Sequence, residues 1–280
     1  MAAEPEVCYR HPNEQTRVHC TRCGRPICPD CMTPAPVGHH CPICVAEGRK
    51  GQRRIRGALP RPRSVTTVII AINVVVFVAE LALGGAGAAL IRLGAMVPIL
   101  VATGEYWRLI TAMFLHVGIL HLLLNSYGLY LFGSLIEGVF GSARFLAIYL
   151  VTGFFASAAS FAFGEPNRIA AGASGAIFGL LGAWLAYNWR RRELSMAQAN
   201  VRGALILIAI NLFLGFQIAG IDNLAHIGGL VAGVVAGLAA EGVGSRGVRT
   251  ASRLTGLSLL LLAGVALTAW RVAALTTTSF

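Results

Sequence analysis

The sequence predicts an all-α polytopic membrane protein, with seven apolar spans preceded by a small metal-binding head. Three observations carry this. Of 280 residues, 56% are hydrophobic and only 12% charged, with a mean hydropathy of +0.68, whereas about a quarter of the residues of a soluble domain are charged. Seven apolar runs approach the ~20 residues needed to cross a bilayer. All seven cysteines precede residue 45, so they form one local site and not a disulfide framework. The net charge of +11 does not point to nucleic acid, because the basic residues flank hydrophobic runs instead of forming a stripe with interleaved aromatics.

The head, residues 1–48, contains four paired steps: Cys8-x-x-His11, Cys20-x-x-Cys23, Cys28-x-x-Cys31 and Cys41-x-x-Cys44. Two-residue spacing lets a tight turn aim two thiolates, or a thiolate and an imidazole, at one ion. Eight such ligands make two tetrahedral Zn²⁺ sites. Short spacers favour an interleaved arrangement, first pair with third and second with fourth; His19, His39 and His40 are further candidate ligands. With so few apolar residues, folding of the head depends on these two structural ions. The amino terminus is acidic and cysteine-bearing, unlike the basic start and apolar segment of a secretory signal. This leaves the head in the reducing cytoplasm.

Residues 49–63 (R-K-G-Q-R-R-I-R-G-A-L-P-R-P-R) read as a basic linker lying against anionic headgroups. They precede the first span, Val65 to Leu83, so the positive-inside rule places that end in the cytoplasm. Six further spans follow: Gly118 to Ile136, Phe145 to Phe163, Ala170 to Trp189, Gly203 to Ala219, Leu224 to Ala240 and Leu254 to Trp270. Seven crossings put the carboxyl terminus outside. Loop charge agrees: the inner loops carry Arg144, Arg190, Arg191, Arg192, Arg202, Arg246, Arg249 and Arg253, the outer ones only Arg92, Arg108, Arg168 and Arg271. The segment from Gly84 to Val117 is apolar but broken by Arg92, Pro98, Glu105 and Arg108. It is expected to dip into or lie along the outer leaflet.

Three spans that run inward carry polar groups near their outer ends: His121 and Asn125, Ser174, and His226. At 1.5 Å per residue, groups about four to six positions into a helix lie ~6–9 Å below the interface. A histidine in hydrocarbon needs a partner, and Ser174 is the one named for His226. Gly172 and Gly175 flank Ser174, leaving the hydroxyl accessible. A serine becomes a nucleophile when a base takes its proton, a task His226 can perform. His121 and Asn125 share a helical face and, with the Ser174 backbone N–H, can supply oxyanion donors. No carboxylate occupies an obvious third position, since Asp222 falls in a loop and Glu137 toward an inner helix end. The expected unit is a Ser-His dyad without a catalytic cofactor. Gly229, Gly233 and Gly237 read as packing residues that let the sixth span approach the fourth. Glu137 and Arg108 read as structural, and Glu80 has no assigned role.

The combination of W-R (Trp107, Arg108), H-L-L-L-N (His121 to Asn125), G-A-S-G (Gly172 to Gly175) and A-H-I-G-G-L-V-A-G (Ala225 to Gly233) resembles the rhomboid family of intramembrane serine proteases over about residues 64–240. The resemblance implies a six-helix core, with residues 241–280 adding an inner loop, a seventh helix and a tail. It implies Ser174 as nucleophile, His226 as base and His121 with Asn125 at the oxyanion hole. His116 matches a further histidine near that site. Phe178 stands where some members carry a tyrosine that stacks on the base. Implied substrates are transmembrane segments of other proteins, cut near their outer ends at small residues. The bilayer of a bacterial plasma membrane is the expected setting. The head, which resembles a B-box-type zinc finger, lies outside the family's shared core. A cytoplasmic partner, metal sensing, control of the protease, and a folding or anchoring role are open for it. Two other functions compete with this reading. A catalytically silent client-binding relative would lack the serine or histidine present here, and a transporter would carry repeated halves with midplane polar groups.

Overall fold

A computed structural model describes residues 6–50, 64–83, 92, 94–242 and 246–277. The basic linker expected over residues 49–63 lies almost wholly outside them. The chain divides into two compact units, Met1–Leu59 and Pro60–Phe280.

The first unit has little regular structure. Strands β1 (Glu6–Val7) and β2 (Gln15–Thr16) pair antiparallel, as do β3 (Thr33–Pro34) and β4 (His39–His40), and helix α1 (Pro42–Lys50) follows. Its buried core is six cysteines and Ile27, with Tyr9 and Met32 packed against them. One buried aliphatic side chain cannot offset the entropy of ordering such a segment, so the sulfur centres must hold it together.

The second unit is a helical bundle of a multi-pass membrane protein. Its long helices are α2 (Ser64–Ala82), α5 (Ile119–Gly128), which continues through a π-turn at Leu129–Gly133 into α6 (Ser134–Phe140), α7 (Ser142–Phe163), α8 (Ser174–Trp189), α9 (Ser195–Gln217), α10 (Asn223–Glu241) and α11 (Arg246–Thr277). Between α2 and α5 lie two short helices, α3 (Pro98–Ala102) and α4 (Arg108–Thr111). Among the described residues, six stretches are long and apolar enough to cross a bilayer. The remaining long helix, α8, has only 16 residues. At 1.5 Å per residue that is about 24 Å, short of the ~30 Å hydrocarbon layer.

This length corrects the fourth predicted span, which was expected to begin at Ala170. Residues 170–173 are apolar but not helical. Ala170 and Met96 exchange backbone hydrogen bonds of 2.9 Å each way, and Gly172 N–H donates to the Ala112 carbonyl at 2.8 Å. Gly172 itself sits at φ 128°, a region L side chains rarely adopt. An apolar loop stitched to the outer segment therefore looked like the first turn of a helix.

Glycines set the closest contact in the bundle. A Cβ on Gly229 would collide with the Gly175 carbonyl, one on Gly233 with the Gly179 carbonyl, and one on Gly237 would lie 2.7 Å from Ala183 Cα. Thus α10 meets α8 backbone to backbone, the approach that small residues at four-residue spacing permit. Glu137 ties α6 to the start of α2. Its carboxylate accepts hydrogen bonds from the Thr66 N–H at 2.9 Å, the Thr66 hydroxyl at 2.7 Å, the Val65 N–H at 3.2 Å and the Ser142 hydroxyl at 2.6 Å. Two of these donors are first-turn amides of α2, which have no partner inside their own helix. Arg108 binds Glu105 at 2.7 Å and the Ala95 carbonyl at 2.8 Å, pinning the outer segment. Glu80 is buried in α2, and among the described residues neither carboxylate oxygen meets a hydrogen-bond partner within bonding distance.

Candidate active site and metal centres

Ser174 occupies the first position of α8, not an interior one. Ser174 thus stands at the amino-terminal end of a helix too short to span the hydrocarbon layer by itself. The first-turn N–H groups have no partner within the helix, and the macrodipole adds partial positive charge there. Negative charge developing beside Ser174 would meet both.

Phe178 follows Ser174 by four residues, hence on the same helical face. The His226 ring stacks on it, with centroids 4.2 Å apart and planes inclined by 6°. His226 is 6% exposed, and its backbone N–H donates to the Asp222 carbonyl at 3.1 Å. Its Nδ1 has no hydrogen-bond partner among the described residues. The imidazole is thus held by packing, with Nδ1 left without a partner among the described residues.

His121 is fixed differently. The Val117 N–H donates to its Nδ1 at 3.3 Å, which assigns the ring proton to Nε2. A Cβ on Gly172 would lie 2.7 Å from that Nε2, so the donor nitrogen abuts the loop residue two before Ser174. Asn125 Nδ2 donates to the His121 carbonyl at 2.8 Å; an amide has a second N–H to offer. His116 is fully buried and meets His121 edge-on, with centroids 5.2 Å apart and planes at 60°.

Asp222, a loop residue by sequence, has a defined place in the structure. It is buried and caps α10, its Oδ1 accepting from the Ala225 N–H at 3.1 Å. Its Oδ2 accepts from the Ser160 hydroxyl. A cavity of about 30 Å³ is lined by Ser174, Gly172, Ser157, Ser160 and Asp222. A water needs only ~10–15 Å³ of such volume together with polar partners, both of which are present. The sequence signal was an aspartate three residues before Ala225 at a helix start.

In the first unit the eight expected ligands fall into two tetrads, Cys8, His11, Cys28 and Cys31 in one and Cys20, Cys23, Cys41 and Cys44 in the other, with the ligand atoms of each within 4.8 Å of one another. This is the interleaved pairing. Bonds of 2.3 Å to Zn²⁺ in a tetrahedron imply sulfur separations of about 3.8 Å; Cys23 and Cys41 sulfurs are 3.7 Å apart, and His11 Nδ1 is 3.2 Å from Cys28 and 3.6 Å from Cys31 sulfur. The donor set therefore fits a metal ion. His19 instead faces Glu6 at 3.1 Å, and neither His39 nor His40 joins a tetrad. Burial and neighbouring thiols push Cys31 up to about 11 and Cys44 up to about 12. For Cys8 and Cys20, burial is outweighed by hydrogen bonds from nearby backbone, holding each at about 6. The first thiolate of a tetrad forms readily and the last resists, the charge pattern that a bound dication relieves.

A family model described as the Rhomboid domain matches residues 103–241. The chain is 43% identical over 176 residues to "Rhomboid protease GluP" of Bacillus subtilis, covering 62% of this chain and 34% of that protein. It is 42% identical over 159 residues to "RHOMBOID-like protein 6, mitochondrial" of Arabidopsis thaliana, covering 55% and 50%. With "Rhomboid-like protease 2" of Toxoplasma gondii it shares 34% identity over 190 residues, covering 63% and 65%. The chain thus spans between a third and two thirds of these relatives' lengths. The matched region carries the Ser174 turn, the His121 helix and the His226 helix, and on this evidence the chain belongs to the rhomboid family.

Proposed function

We propose that the chain is an intramembrane serine endopeptidase that cleaves transmembrane segments of other membrane proteins. The observation that carries this reading is the stack of His226 on Phe178, one turn from Ser174 on the same face. In the proposed reaction His226 takes the Ser174 hydroxyl proton as Oγ attacks the scissile carbonyl. The carbonyl becomes an oxyanion, which His121 Nε2–H, the spare Asn125 N–H and the Ser174 backbone N–H receive. Collapse releases the amine, protonated by His226, and leaves an acyl ester on Ser174. Water entering through the cavity beside Asp222 gives its proton to His226 and hydrolyses the ester. No metal takes part; two structural Zn²⁺ are held by the tetrads of the head.

We place the protein in a plasma membrane, with its amino terminus cytoplasmic and its carboxyl terminus outside, on the loop charges. Domain boundaries at 48, 63 and 240, and a cytoplasmic partner for the head, belong to the same reading. The test is cleavage of a panel of single-span reporters, with small residues near the outer end, in proteoliposomes. The parent should release two fragments from at least one reporter. Ser174→Ala and His226→Ala should release none while still inserting, and fragments from either variant would refute the mechanism.

A further inference from the structure

At the Arg190–Arg192 end of the bundle, a groove of about 590 Å³ opens between the end of α8 and the first turns of α9. Its lining is divided. Trp189, Val201, Leu205 and Ile206 form an apolar wall, and Arg192, Arg202 and Gln198 contribute a polar side. A volume in the ~300–1,000 Å³ range of small-molecule sites is enough for a headgroup and the upper part of an acyl chain.

Charge pairing distinguishes these two arginines from their neighbours. Arg190 and Arg191 share the Glu241 carboxylate, and Arg253 donates to the Ala240 and Glu241 carbonyls. The Arg192 guanidinium makes only local contacts among the described residues, to the Trp189 carbonyl at 3.3 Å and over its ring at 5.4 Å. Among the described residues, no carboxylate lies within salt-bridge distance of Arg192 or Arg202. Glu193 also lines the groove, so two cations face one carboxylate and one positive charge is left over. That surplus matches a headgroup of net charge minus one.

We infer that this groove binds an anionic phospholipid, its phosphate between Arg192 and Arg202 and its acyl chain along Leu205 and Ile206. Guanidinium forks suit phosphate oxygens, and basic pockets between membrane helices accept such headgroups. Trp189, 54% exposed, belongs at the headgroup level. Around the groove α9 is sparsely packed, with only Ala197, Val201, Ala204 and Ile208 buried. A lipid there would supply contacts that the helix lacks from its neighbours. The inference requires only that this end of the bundle meet a headgroup layer, and it stands apart from the proposed peptidase activity.

Native mass spectrometry of the full-length protein, titrated with phosphatidylglycerol and separately with phosphatidylcholine, tests it. At about fivefold per surface arginine, R192Q/R202Q should weaken phosphatidylglycerol binding by about 30-fold and leave phosphatidylcholine unchanged. R192K/R202K, which keeps both charges, should recover much of the loss. Leu205→Trp keeps both guanidiniums but fills the apolar wall, and it too should weaken lipid binding. Equal phosphatidylglycerol binding by parent and R192Q/R202Q would overturn the inference. So would complete displacement of the lipid by millimolar inorganic phosphate, which would make the groove a site for free anions.

Discussion

Ser174 differs from an ordinary helical serine by one structural fact: nothing before it is helix. Its hydroxyl stands at an amino-terminal end where unpaired N–H groups and the macrodipole favour an anion. That advantage was not legible in the sequence, because Ala170, Ala171 and Ala173 look like a first helical turn until Gly172 is seen at positive φ. Ser174, His226, His121 and Asn125 stand out as candidates in the sequence, since few other reasons place such groups in apolar runs. The His121 tautomer is not legible there, because it depends on a hydrogen bond from Val117. Asp222 was passed over because its burial comes from tertiary packing against Ser160. Two predictions belong at this scale. Phe178→Ala should lower kcat by about 2- to 12-fold, the equivalent of ~0.5–1.5 kcal/mol for an aromatic pair, with KM nearly unchanged. Phe178→Tyr should keep the stack and the rate. His121→Ala should lower kcat by about 10²- to 10³-fold, as expected for one oxyanion donor. Kinetics on a cleaved reporter checks both, and parent-like kcat in His121→Ala would remove it from the oxyanion hole.

Among the elements, the contact between α8, which carries Ser174, and α10, which carries His226, rests on glycine. Gly233→Ala would press a methyl group into the Gly179 carbonyl. Overpacking of this kind costs ~1–3 kcal/mol, so the variant should unfold at a lower temperature and lose activity together. An unchanged unfolding temperature would mean that the two helices are not in backbone contact. Hydropathy found the seven long helices, six of which reach the length that the bilayer dictates. It erred at their ends. The helices expected from Gly203 and Leu254 begin at Ser195 and Arg246, since a helix continues into the headgroup layer where polar residues are welcome. The seventh helix also reaches the outer segment: Val272 and Leu275 pack on the cluster of Met96, Val101, Leu109 and Phe161. Arg271 donates to the Gly164 carbonyl at 3.1 Å. Through these contacts α11 braces the segment stitched to residues 170–172.

At the scale of the whole chain, two units obey different physics. The membrane unit is held by helix packing, whereas the head has a core of cysteine and one isoleucine. Elemental analysis of purified protein should find about two zinc ions per chain, one per tetrad. Removing them with a chelator should leave the head sensitive to protease while the membrane helices persist. A head that stays protected without metal would contradict this account. The central claim, that Ser174 is a nucleophile activated by His226, is tested most directly by a reagent that needs no knowledge of the substrate. Purified, reconstituted, zinc-loaded protein is treated with a serine-directed fluorophosphonate beside Ser174→Ala and His226→Ala. The account predicts a covalent adduct on the parent alone, at Ser174. An adduct that survives Ser174→Ala, or a folded parent that takes up none, would contradict it.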